Sequence, residues 1–128
     1  MKTHANRYAS LLLIPLAFVP ASHARATPHD CTAKAVATIE ALARHDHDGA
    51  RRDLDAQLRA NSQQMEPMWD ALVRQNWGPY RSHGRAESIT RGGRTTVRLP
   101  LEFDHGQTTA TFTCDPKEAG AIAEFSLL

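Results

Sequence analysis

Long apolar runs are missing from this 128-residue sequence. The most apolar stretch, residues 11–19, falls well short of the about 20 residues that a helix needs to cross a bilayer. An excess of one charge is missing as well: 15 Lys and Arg stand against 14 Asp and Glu. That balance excludes the basic footprint of a nucleic-acid or anionic-membrane binder. Cysteine is scarce, with two residues, Cys31 and Cys114, and no C-x-x-C spacing of the redox or zinc kind. There is no phosphate-binding loop, dinucleotide fingerprint, H-E-x-x-H or EF-hand pattern, so no cofactor is expected. Ser82-His83 lacks the G-x-S-x-G context of a nucleophile elbow and reads as polar residues entering a strand.

What is present begins with an address. Lys2 and Arg7 precede the apolar run at 11–19, and "PASHARA" follows it. A basic start, a short apolar stretch and a small-residue end are the three parts of a secretory signal peptide. Cleavage is expected after Ala24, with Ala26 as the other option, leaving residues 25–128 as a single domain in the periplasm or outside the cell. A lipid anchor would require Cys directly after the apolar run, whereas Cys31 follows Pro28-His29-Asp30. In an exported chain the even pair Cys31 and Cys114 reads as a disulfide.

The expected domain divides into a helical half and a strand half. Residues 32–45 are Ala-rich with no interior Gly or Pro, and they place Val36, Ile39 and Ala43 on one face. A second, weaker helix covers "DGARRDLDAQLRAN" with Leu54 and Leu58 four apart. In the third, Met65, Met68, Trp69, Leu72, Val73, Asn76 and Trp77 follow helical spacing, and Gly78-Pro79 stops it. Beyond Gly78 the period falls to two. Val97, Leu99, Leu101 and Phe103 alternate with Thr96, Arg98, Pro100 and Glu102, and Ala110, Phe112 and Cys114 alternate with Thr109, Thr111 and Thr113. Gly92-Gly93 and His105-Gly106 mark hairpins. The expectation is an α+β domain, three helices on a curved four-stranded antiparallel meander. Cys114 falls on the apolar face that the first helix must cover, so a bridge to Cys31 would staple helix to sheet.

Two places merit a chemical reading. His45-Asp46-His47-Asp48 carries metal-ligand types. On a helix, however, His45 and His47 would stand about 200° apart, and only an extended loop would turn both to one side. The pattern is explained by a helix end at His45 and an Asp cap on the next helix, so His45 and His47 are weak metal candidates only. Trp69, Trp77, Tyr80, Phe103 and Phe112 are candidate walls for a small apolar pocket, with an ordinary aromatic core as the alternative.

The segment from "ATIEALARHDHDG" through "MEPMWDALVRQNWGPY" resembles a bacterial family of unknown function. The resemblance lies in Val36 to Leu42, the Asp48-Gly49 turn, Leu54 and Leu58, then Met65, Trp69, Leu72 and Gly78, and in the strand positions Val97, Leu99, Leu101, Phe103, Gly106 and Phe112. It implies an exported or lipid-anchored domain, in some members N-terminal to a secreted α/β-hydrolase. It also implies a cystatin-like or nuclear-transport-factor-like cone and supplies no catalytic residues. This sequence departs from the fused members in reaching Leu128 without a hydrolase, and in a cysteine pair that the resemblance does not require.

The expected function is that of a non-enzymatic module binding a small apolar ligand or a protein partner, with a homodimer through the Thr-rich outer sheet face as a further expectation. The alternatives are an accessory domain acting with a hydrolase in trans and a small cone-fold enzyme of the isomerase or dehydratase kind. The enzyme would need an ionisable group inside the cone, and Glu87 and Glu124 are the available acids.

Overall fold

The first described helix, α1 (Pro28–Ala43), turns Cys31, Ala35, Thr38, Ile39 and Leu42 inward, a spacing of four, three, one and three that keeps one stripe on the sheet. The computed structural model describes residues 28–128, so the expected signal peptide and its cleavage at Ala24 or Ala26 lie outside it. The buried stripe is rotated from the expected one: Val36 and Ala43 are only half-buried. Thr38 occupies the core because its hydroxyl donates to the Lys34 carbonyl at 2.8 Å, one turn back, leaving its methyl to pack. No helix among the described residues is long and apolar enough to cross a membrane.

Where one second helix was expected, two five-residue helices stand, α2 (His47–Arg51) and α3 (Ala56–Ala60). Sheet pairing breaks the helix between them. Leu54 is buried, and the backbone on either side of it bonds the last strand: Asp55 N–H to the Ile122 carbonyl and Ile122 N–H to the Asp53 carbonyl, both at 2.8 Å. The Asp55 carboxylate then caps α3 through Leu58 N–H at 2.7 Å. The Arg59 guanidinium reaches back to the carbonyls of Arg51, Arg52 and Leu54 at the break between the two helices. Next, α4 (Met65–Leu72) buries Met65 and Trp69 but leaves Met68 42% exposed, against the expected apolar stripe. It runs on into one wide π turn, residues 73–77, before Gly78 at φ +71° ends it.

The sheet has five antiparallel strands rather than four: β1 (Tyr80–His83), β2 (Glu87–Arg91), β3 (Arg94–Phe103), β4 (Gly106–Asp115) and β5 (Ala121–Leu127). Both β1 and β2 pair with the same edge of β3. The expected first strand is thus an interrupted one, and Pro100 is the reason. The Pro100 carbonyl faces that edge and accepts from Gly84 N–H at 2.8 Å, so the missing proline N–H faces it too, and the ladder breaks there. Gly92 and Gly93, at φ +57° and +79°, form the expected two-residue turn between β2 and β3. The β3–β4 turn is Asp104-His105, one residue before the expected pair, since Phe103 and Gly106 are already partners.

The alternation on β3 and β4 holds. Val97, Leu99, Leu101, Phe103, Ala110 and Phe112 are buried under α1 and α4, while Arg98, Pro100 and Glu102 are exposed on the other face. Cys31 and Cys114 form the expected disulfide, with Cα atoms 6.0 Å apart, joining the start of α1 to the end of β4. Lys34 adds a second tie, donating to the carbonyls of Ala119 and Gly120 in the β4–β5 turn.

Candidate functional site

The His-Asp repeat follows the end of α1. His45 N–H donates to the Leu42 carbonyl and Asp46 N–H to the Ala41 carbonyl, the paired bonds of a Schellman cap. That cap needs a left-handed residue, usually Gly, and here His45 supplies it at φ +57°. Asp46, not Asp48, caps α2, accepting from Gly49 N–H at 2.9 Å. A Cβ on Gly49 would overlap that same carboxylate, so the glycine allows the cap to close.

The left-handed turn aims the two histidines at different acids of α4. His47 pairs with Glu66, and His45 Nδ1 lies 3.5 Å from Asp70 Oδ1. Glu66 and Asp70 are four apart on one helix face, and each also faces an arginine: Arg51 at 3.8 Å and Arg74 at 3.5 Å. Arg51 Nε and Glu66 Oε1 are buried and make no hydrogen bond among the described residues. His45, Asp46, His47, Glu66 and Asp70 rim a crevice floored by Ala41, Leu42 and Trp69, with room for about one water molecule. Since His45 and His47 each engage a separate carboxylate, they do not converge. Among the described residues no group of three or more His, Cys, Asp or Glu is arranged to hold a metal ion.

Four of the five aromatic candidates meet. Phe103 is their hub, with ring centroids 5.5 Å from Trp69, 5.3 Å from Trp77 and 5.7 Å from Tyr80. The rings meet at tilted to edge-on angles and fill the space between α4 and the sheet with one another. Phe112 is not among them; it packs on Phe125 at 4.8 Å. Tyr80 is the cluster's polar member. Its phenol titrates above the ordinary range, first because burial penalises the phenolate and second because Glu40 repels it.

The outer face of the sheet is the broad surface that the described helices leave open. Thr96, Arg98, Glu102, Thr109, Thr111 and Thr113 line it, with the Thr96 and Thr113 hydroxyls 3.4 Å apart. Arg94 binds Glu124 at 3.1 Å and lies 4.0 Å from Asp115. Pairing with Arg98, Thr96 and Arg94 puts Glu87, Ile89 and Arg91 on this face as well, and Ile89 is 56% exposed there. A shallow groove of about 200 Å³ runs between Ile89, Arg91, Arg94, Thr96, Thr113 and Glu124. Glu87 and Glu124, the two acids considered for the interior of a cone, therefore both belong to the outer side.

The sequence reading missed Glu66, Asp70 and Ile89. The i, i+4 spacing of Glu66 and Asp70 was a usable signal for one acidic helix face; nothing local linked that face to His45 and His47. No protein-family model, no curated protein and no solved structure matches this chain.

Proposed function

We propose that this protein is an exported, disulfide-stapled, non-enzymatic module that binds a protein partner on the outer face of its sheet. One observation carries the reading: the exposed Ile89 sits in a groove among Arg91, Arg94, Thr96, Thr113 and Glu124, on a face no described helix covers. A solvent-exposed branched apolar side chain ringed by adaptable polar groups is the composition of a contact surface. The inner face supports the same reading, because its apolar side chains are buried against α1 and α4 and its aromatic rings pack on each other. The disulfide fits an oxidising compartment. The resemblance to exported domains found beside secreted hydrolases points the same way.

The test is site-specific photo-crosslinking in the compartment where the chain resides, with native mass spectrometry of the purified protein. A photoreactive residue at Thr111 should capture one discrete protein, and the same residue at Gln57, on the helical side, should not. Equal capture at both positions would refute the face. A bound small molecule released on denaturation would instead favour the apolar-ligand reading.

A further inference from the structure

Strand β2 has one edge paired with β3 and another that no described element occupies, and all five of its residues are exposed. Which backbone groups point out of that second edge follows from Pro100. Its carbonyl faces β1 and β2, so those of Arg98, Thr96 and Arg94 do too, and they take the inward groups of Glu87, Ile89 and Arg91. The outward N–H and C=O groups therefore belong to Ser88 and Thr90.

The side chains along this edge read Glu87-Ser88-Ile89-Thr90-Arg91, a sequence whose charges reverse about Ile89. We infer that a second copy of this chain pairs here, antiparallel and edge to edge, about a two-fold axis through Ile89. In that register Glu87 lies opposite Arg91 of the second copy, and Arg91 opposite its Glu87. Ser88 and Thr90 form the hydrogen-bonded pairs, and Ile89 meets Ile89 at the close, non-hydrogen-bonded position. Backbone parity permits this register, and side-chain charge selects it among those that parity permits. Shifting by two residues either way sets Ile89 against a charged side chain, Glu87 or Arg91, and loses the double ion pair.

The pairing joins two five-stranded sheets into one continuous sheet and stops at two copies. The contact is closed by its own two-fold axis, and at the opposite edge the outward groups of Ile122 are taken by Asp53 and Asp55 of the same chain. The charges on β2 deter other strands and are neutralised by this one. This inference concerns the edge and does not depend on the face-binding reading.

The experiment is sedimentation velocity of the mature, disulfide-bonded chain across a wide concentration range, with four variants checked for native circular dichroism and melting. The wild type should dimerise with concentration. Glu87→Lys, which sets like charges opposite each other twice per dimer, should weaken the dimer by about tenfold or more. Ser88→Pro removes an outward N–H, which intrachain pairing does not use, and should leave a folded monomer. Exchanging both charges, Glu87→Arg with Arg91→Glu, should restore the dimer that Glu87→Lys loses. A wild type that stays monomeric, or a dimer unmoved by both Glu87→Lys and Ser88→Pro, overturns the inference. A dimer lost to Thr111→Glu but not to the edge variants overturns it too, and assigns the contact to the outer face. Capture of a different protein at Thr111 by a monomeric chain would sink the edge pairing while leaving the face reading intact.

Discussion

The indole ring of Trp77 lies on Gly106, where a Cβ would come within 2.7 Å of its Cγ. The Trp77 carbonyl meanwhile accepts from His105 N–H at 2.8 Å, so ring and backbone together hold the β3–β4 turn against the end of α4. The π turn over residues 73–77 positions the ring there, and the glycine lets the strand come close enough to touch it.

Gly106→Ala should therefore destabilise the protein by about 1–3 kcal/mol, the usual cost of forcing a methyl into a packed site. Urea denaturation measures it. In a Trp77→Ala background the cost of the same substitution should fall to a small fraction, because the atom it strikes is gone. Equal costs in the two backgrounds would mean that Trp77 is not what Gly106 accommodates.

Reducing the Cys31–Cys114 bond should lower stability by about 2–5 kcal/mol, since it closes a loop with a sequence separation of 83. A double Cys→Ala variant should melt like the reduced protein and be insensitive to thiols. The oxidised chain should weigh two hydrogens less than the reduced one.

Asp55→Ala should cost about 1 kcal/mol by removing the cap on Leu58 N–H. Asp55→Asn should recover most of that, since the amide oxygen accepts the same bond. Thermal melts of the two variants separate the capping effect from the backbone bond of Asp55 to Ile122, which neither substitution removes.

Tyr80 gives stability a pH dependence at the alkaline end. Burial, then Glu40, raises its pKa above 10.0 in the folded chain. Above that pH the native state holds a proton that the unfolded state has lost, so stability falls as pH rises from about 10 through the folded value. Its contribution is fully present below pH 10. Tyr80→Phe keeps the ring against Phe103 and should flatten this part of the pH–stability curve, as urea titrations at successive alkaline pH values would show.

Alternation on β3 and β4, the Gly-Gly turn and the helix stop at Gly78 were legible because each rests on neighbours within a few residues. So was the disulfide, since Cys114 and the start of α1 had to share one face. The second helix was misread because its propensity is weak and the decisive bonds, to Ile122, come from nearly seventy positions away. Pro100 was in plain view, but only pairing reveals that it splits the neighbouring strand and not its own.

The site divides in the same way. His45, Asp46 and His47 could be read as a turn from their sequence, since helix ends and caps are local. That the two histidines diverge to Glu66 and Asp70 depends on a left-handed residue and on where α4 lies.

By itself, then, the sequence determined the elements whose physics is short-range: the period of a helix or strand, a cap, a two-residue turn, the apolar face of each strand. Tertiary structure alone decided which edge is left open, which acids face outward and which ring fills the space beside Gly106. Those depend on hydrogen bonds and close contacts between residues that only the completed fold brings together.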